Sequence, residues 1–443
     1  MTDDEKAAKL NMLDDRGHRL FIIPAEVKGK WKNYKSYVHT VLLILFLILP
    51  WISINGQPVI LLDVINRKFH FFGIQLLSHD APLLFFIIFG LAVLLAITTA
   101  LWGRVWCGWA CPQTVFIEKV FRAIEIWVEG PYLQRRKLAG QEMNYSKFKK
   151  VSLKWFLFFL VSSIMAHSFI SYFVGSEKLL NMIWHHPEIN WNYFVLVSGV
   201  TALFLFNFGW FREQFCIIAC PYGKIQSLLM DQQSMAVMYD DSRTDCVQCR
   251  RCVQVCPTGI DIRNGIQMEC INCTACIDAC DEIMDKVKQP KGLIRYKTLL
   301  NEKVNWFRPR VLVYSALFIL SMSGLLWALG THHDVSVLIM RSKGLPFEII
   351  QINEQKILQN QYFIRIQNNS EITQTLKVMG PKEVSLKIPQ NPISIPKKAQ
   401  ISWPFFVHLP LSDFSSQEID IEIEIEGRKT LQKVQLIGPQ IEL

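Results

Sequence analysis

Residues 246–256 read "CVQCRRCVQVC" and residues 270–280 read "CINCTACIDAC". Each run spaces its thiols as Cys-x2-Cys-x2-Cys-x3-Cys, the pattern of a bacterial two-cluster ferredoxin. Three thiolates at this spacing curl around one iron–sulfur cube, and the fourth is too constrained to close it. The fourth cysteine of each run therefore ligates the other cube. This assigns Cys246, Cys249, Cys252 and Cys280 to one 4Fe–4S cluster and Cys270, Cys273, Cys276 and Cys256 to a second. Structural zinc uses two separated cysteine pairs rather than two four-cysteine runs. The chemistry of such a unit is one-electron transfer. Pro257 follows the first run, but Asp281 stands where the second would carry proline. That departure spares the ligands while altering the local turn or placing a negative charge beside a cluster.

A second pattern occurs twice. "RVWCGWACPQT" holds Cys107 and Cys111, and "EQFCIIACPYG" holds Cys216 and Cys220, each pair just after an apolar run. Cysteines four apart on a helix share one face, with β-carbons about 5–6 Å apart. Proline after the second cysteine pushes that residue out of helical geometry, so each pair is expected on the last or exit turn of its helix. Arg104 and Lys119 flank the first pair, Arg212 and Lys224 the second. Nearby positive charge favours thiolate, and soft thiolates select soft ions such as Cu(I). Buried small residues packing a helix end are the bland alternative. The repeat suggests that the two helices are related units whose ends bring four thiols together near the ferredoxin region.

The elements that must position these residues follow from hydropathy. The 443-residue chain is half hydrophobic, and its mean hydropathy is positive. Five uncharged apolar windows, near 38–55, 82–102, 155–174, 192–211 and 311–330, are long enough to cross a bilayer. No small-residue cleavage site follows the first, which reads as an uncleaved anchor. Lys and Arg crowd the leader 1–37 and the loop after the second window, whereas the opposite loops hold little beyond Arg67, Lys68 and Lys178. The positive-inside rule then places the N-terminus and segment 212–310 in the cytoplasm and the tail 331–443 on the exported side. The net charge of +9 reflects this asymmetry, and no separate basic domain suggests nucleic acid. All twelve cysteines lie between Cys107 and Cys280, on the reducing side, which points to metal-binding thiols rather than disulfides.

The expected architecture is a multi-pass α-helical membrane protein. A leader 1–37 precedes four spanning helices over 38–211. A two-cluster ferredoxin domain follows at 212–310, then a fifth span at 311–330. The tail 331–443 shows short alternating runs, such as "YFIRIQ" and "IDIEIEIE", separated by turn signals. About seven such strands read as an Ig-like sandwich. The stretch 131–150 reads as an amphipathic or surface loop.

The chain resembles the cytochrome c oxidase accessory protein CcoG family, also called FixG or RdxA, along its whole length. The matching residues are "PWISINGQPVILLDVINRKFHFFG" at 50–73, "GRVWCGWACPQTVF" at 103–116, "CIIACPYGKIQ" at 216–226 and the two ferredoxin runs. The resemblance implies a role in assembling cbb(3)-type cytochrome c oxidase, with cupric reductase activity that supplies Cu(I). It carries over Cys107, Cys111, Cys216 and Cys220 without fixing their role. Copper would be substrate or transient ligand, and the partners would be oxidase subunits or copper chaperones and transporters.

His167 lies inside the third window, where ionisable residues are functional by default. It is a weaker candidate copper ligand, and a histidine satisfied by a neighbouring helix is the alternative. His185–His186 and His332–His333 fall on the exported side and suit Cu(II), although such pairs are commonly just solvated; His39 opens the first span. No phosphate loop, Ser/His/Asp arrangement or flavin or nicotinamide fingerprint is present, so the electron donor is a separate protein or a quinol. Two further readings stay open: a quinol-linked electron-transfer subunit without copper chemistry, and a non-catalytic assembly scaffold.

Overall fold

Five helices carry the apolar runs: α1 (Lys30–Trp51), α2 (Leu83–Trp102), α3 (Tyr145–Val174), α4 (Trp191–Phe211) and α5 (Pro309–Gly330), each long and apolar enough to span a bilayer. Phe85, Ile88 and Leu91 on α2, and Ile319, Leu320 and Leu326 on α5, stand exposed. In water such rows would aggregate; against lipid tails they need no partner. The computed structural model describes residues 21–439 apart from 55–56, 65–67, 72–73, 77–80, 299–304, 331–334, 343, 346, 353–354, 369–371, 382–383, 398, 412–417 and 426. The leader up to residue 20, Arg67 and His332–His333 lie outside the described residues.

Two boundaries differ from the sequence expectation. Helix α1 begins at Lys30 rather than near 38, although its first turns are charged. Its free N-terminal amides are taken up from a distance: Asp278 accepts the N–H of Trp31 at 3.2 Å and of Lys32 at 2.7 Å. A carboxylate there caps the helix and complements its dipole. A Cβ on Gly29 would fall 2.1 Å from the Asp278 Cγ, so glycine is what lets the carboxylate approach. The stretch 131–150 is no loop either. Tyr132–Gly140 is helical, and α3 starts at Tyr145, capped by Asn144 accepting from the Lys147 N–H at 2.8 Å.

The contacts divide the chain into two compact units, residues 1–328 and 329–443. In the first, the ferredoxin segment is continuous with the spanning helices rather than a separate body. Antiparallel strands Met235–Tyr239 and Ile294–Thr298 flank the cysteine loops. Beside them Val237, Ile262, Ile277, Met284 and Ile294 are buried with Cys252 and Cys280 in one core. Between α1 and α2 the chain forms a small antiparallel sheet, Ile60–Asp63, Lys68–Phe71 and Ile74–Leu76, in a region the sequence reading left without strands.

The second unit contains nine described strands, β1 (Val335–Arg341), β2 (Glu348–Ile352), β3 (Gln355–Asn368), β4 (Gln374–Met379), β5 (Ser385–Lys387), β6 (Ile393–Ile395), β7 (Gln400–Pro410), β8 (Glu418–Ile425) and β9 (Arg428–Gln435). One sheet runs β5-β7-β3-β1 with β2 paired to β3, and the other runs β6-β4-β8-β9. Their inner faces share a core of Ile364, Ile366, Leu376, Val378, Phe405 and Ile421. In β8 the isoleucines 419, 421 and 423 are buried while the alternate positions face outward, the period of two that the acidic alternation predicts. This is the Ig-like sandwich.

Candidate functional site

The two cysteine runs adopt the same local conformation. Gln248 and Arg250 flank Cys249, and Asn272 and Thr274 flank Cys273; all four have left-handed backbone, with φ of 53°, 54°, 52° and 65°. Non-glycine residues rarely enter this region. Two such residues around the second cysteine bend each loop, and in the second run the backbone N–H groups of Asn272 and Ala275 reach Cys270 and Cys273, as in anion-binding nests. The arrangement fits an iron–sulfur cube in each run. Cys252, Cys256, Cys270, Cys273 and Cys276 line one small cavity.

Electrostatics show which thiols face one another. The Cys280 thiol is pushed up to about 12, chiefly by burial, then by Cys252, Asp281, Cys249 and Cys246. Cys276 is pushed well up by burial, then by Cys273, Cys270 and Cys256, with Cys252 last. The fourth cysteine of the second run thus faces the first three of the other. Asp281 is also explained. Helix Ala275–Lys286 runs straight through it, where proline would remove a helical hydrogen bond, and its carboxylate accepts the Gly292 N–H at 3.0 Å.

The paired cysteines lie beyond the spanning helices, not on their last turns. Cys107 is in the short helix Val105–Trp109. Cys111 is the extended N-cap of Pro112–Phe116, with φ −62° and ψ 128°. Cys216 sits in the wide turn Phe215–Ala219, and Cys220 is the extended N-cap of Pro221–Leu229, with φ −73° and ψ 112°. Proline at the first helical position suits a cap, so each motif is a helix-break-helix with one thiol before the break and one at it.

The fold brings the four together. Burial raises Cys107 to about 12, followed by Cys111, with Cys220 also raising it and Arg104 opposing. Burial likewise raises Cys216, then Cys111, Cys107, Glu213 and Cys220; Cys111 is raised by burial, and Cys220 adds to it. Every pairing among the four is represented. At Cys107 burial outweighs the lowering by Arg104, against the expectation that flanking cations favour thiolate. Among the described residues no three His, Cys, Asp or Glu side chains are close enough to hold a single ion, so a lone metal ion at the four thiols requires them to draw inward.

Residues without sequence signals hold this arrangement. Gln113 and Asn207 exchange amide hydrogen bonds at 3.1 and 2.9 Å, and Gln113 also donates to the Arg212 carbonyl at 3.1 Å, joining the first motif to the end of α4. Cys107 Sγ donates to Gln226 Oε1 at 3.0 Å, and Gln226 Nε2 reaches Thr99 at 3.4 Å. Arg104 donates to the carbonyls of Gly223 and Met268, tying both motifs to the ferredoxin segment. Gly108 lies so close to the second run that a Cβ would meet the Ile271 carbonyl oxygen at 2.5 Å and Asn272 backbone atoms at 2.9 Å. Gly108→Ala is expected to cost about 1–3 kcal/mol through overpacking, read as a lower melting temperature of the full protein in detergent.

Behind the second motif, Arg212 and Arg135 share the buried carboxylate of Glu125 at 2.5 and 3.7 Å. Removing one partner from a buried ion group costs about 3–5 kcal/mol, so Glu125→Ala is expected to lower the apparent melting temperature in detergent sharply. An unchanged transition would show that the ion group carries no stability. His167 donates to or accepts from nothing beyond its own helix in the bonds described: its Nδ1 meets the Ser163 carbonyl at 2.7 Å. His185 does the same with Asn181 at 2.6 Å, and nothing brings either imidazole to the four thiols.

Three family models match. A 4Fe-4S binding domain covers residues 83–131, a 4Fe-4S dicluster domain covers 211–245 and 240–299, and the Ig-like fold at the C-terminus of FixG covers 325–439. RdxB of Cereibacter sphaeroides is 32% identical over 409 residues, covering 83% of each chain. The chain belongs to the FixG/RdxA family. RdxA of the same organism is 33% identical over 67% of this chain and 69% of its own, and the nitrogen fixation protein FixG of Rhizobium meliloti is 29% identical over 83% and 80%. A solved FixG-related protein from Vibrio parahaemolyticus is 13% identical, covers 24% of this chain and 97% of its own, and has a TM-score of 0.19. Membership makes this an iron–sulfur membrane protein of oxidoreductase type with an Ig-like tail.

Proposed function

We propose that this FixG/RdxA-family protein reduces Cu(II) to Cu(I) for the assembly of, and copper delivery to, a cbb(3)-type cytochrome c oxidase. The observation that carries the reading is the meeting of Cys107, Cys111, Cys216 and Cys220 beyond α2 and α4, with Gly108 pressed on the second cysteine run. Bound iron–sulfur clusters supply one-electron transfer. The chain supplies soft sulfur ligands, which favour the reduced ion, and a desolvated site whose thiols give up protons as metal enters. The reaction takes one electron per ion, Cu(II) + e− → Cu(I), and breaks no bond in the substrate. Gln226 orients Cys107, and Arg104 keeps both motifs against the ferredoxin loops.

The lysine- and arginine-rich leader and 103–154 segment support an inner-membrane orientation with the ferredoxin segment cytoplasmic and the Ig-like unit periplasmic. There the unit would meet oxidase subunits or copper chaperones and transporters, while a separate protein or quinol supplies electrons. The test uses the full protein with clusters reduced under anaerobic conditions. Added Cu(II) should bleach the cluster absorbance while a Cu(I) chelator gains colour in equal electron count. Clusters that ignore Cu(II) but exchange electrons with a quinol would make this a quinol-linked subunit, and a cluster-stripped chain that still supports oxidase assembly would make it a scaffold.

One observation favours a second reading of the thiol site. The match described as a 4Fe-4S binding domain spans 83–131, and its cysteines are Cys107 and Cys111. The four thiols would then hold a further iron–sulfur cluster, and copper would be met elsewhere. Iron content after serine substitution separates the two.

A further inference from the structure

A cavity of about 300 Å³ lies where the start of α1, the helical stretch 117–129 and the second cysteine loop meet. Its wall carries Lys32, Lys35, Lys119, Arg122 and Arg135 against the carboxylates of Glu26 and Glu118, five cations to two acids, an excess of +3 on the wall. Behind the wall, Glu213 pairs with Arg122, and Glu125 pairs with Arg135. Within it, Glu26 pairs with Arg135 at 2.6 Å, Lys32 and Lys35 share Glu118 at 3.5 and 2.8 Å, and Lys35 also donates to the Cys273 carbonyl at 3.1 Å. Lys119 has only a neutral partner among the described residues, the Ser36 hydroxyl at 2.9 Å. The Nε atoms of Arg122 and Arg135 are buried with no hydrogen-bond partner.

Buried cationic groups with unmet donors are costly unless an acceptor completes them. Arginine forks with a neighbouring lysine match the several oxygens of a phosphate group. The volume is at the small end of ligand pockets, enough for a phosphate with a glycerol-sized substituent. Lys32, Lys35 and Ser36 belong to the first turns of a spanning helix, the level at which lipid phosphates lie. We propose that this cavity binds a phosphate-bearing anion, with Lys119, Arg122 and Arg135 as its main donors. The proposal is independent of the copper reading.

The test uses the full cluster-containing protein in a sugar-based detergent free of phosphate. Native mass spectrometry with added phosphatidylglycerol and calorimetry with glycerol phosphate or inorganic phosphate are run side by side. Retention of about one equivalent of phosphatidylglycerol alone identifies a lipid headgroup, and binding of the soluble anions identifies a free phosphate source. Lys119→Gln should weaken whichever binds by about tenfold, the loss of one charge-assisted hydrogen bond. Lys149→Gln, on an exposed turn of α3, should leave it unchanged. Unaltered cluster absorbance in both variants reports intact folding. Binding of neither class, or equal affinity in Lys119→Gln and the parent, overturns the proposal.

Discussion

On the proposed copper function, serine at Cys107, Cys111, Cys216 and Cys220 together is expected to bring Cu(II) reduction down to the buffer background. The loss should be at least about a hundredfold, since changes even one shell out from a metal cost 10–100-fold. Serine is nearly the size of cysteine, and none of the four lies in the main ferredoxin core, so the two clusters of that segment should keep their absorbance. The physical reason is that oxygen replaces soft sulfur at every position where the reduced ion would be stabilised. Anaerobic mixing of the reduced variant with Cu(II) and a Cu(I) chelator measures it. A variant that still forms Cu(I) at the parental rate would remove copper from the thiol site. Iron content is read on the same sample: a fall would assign the thiols to an iron–sulfur centre.

The second large effect concerns ligand exchange between the runs. Cys280→Ser should abolish the same cluster that Cys249→Ser abolishes, and the double variant should lose nothing further, the signature of two residues serving one unit. Combining Cys249→Ser with Cys256→Ser should instead remove both clusters. This follows from the helix Ala275–Lys286, which presents Cys276 to the thiols of its own run and Cys280 to Cys252, Cys249 and Cys246. Electron paramagnetic resonance of the reduced protein, with iron analysis, distinguishes the patterns. If Cys280→Ser and Cys273→Ser erase the same signal, each run closes its own cube.

Both effects rest on features that differ in how far they could be read in advance. The ferredoxin runs are a contiguous code, because ligands two and three residues apart must wrap one object, and spacing alone conveys that. The spanning helices are equally direct, since an uncharged apolar stretch has few alternatives in lipid. The alternation in 418–425 announced a half-buried strand for the same kind of local reason. Boundaries were less accessible. The start of α1 carries no local signal because its cap, Asp278, lies far away in sequence. The thiolate expectation for Cys107 also failed, since flanking charge is visible in a sequence but desolvation is not.

Ligand spacing, the apolar spans, the family and the strand pattern of the tail are all legible in the chain, because each depends on residues near one another along it. Folding alone makes two distant Cys-x3-Cys-Pro motifs face each other, lets the first touch the second cysteine run at Gly108, and locks the two together through Gln113 and Asn207. It also decides where the basic side chains of α1 and the 117–129 stretch collect into one cavity. Those are long-range contacts. They arise from packing and from hydrogen bonds between groups whose separation in sequence carries no periodic signal.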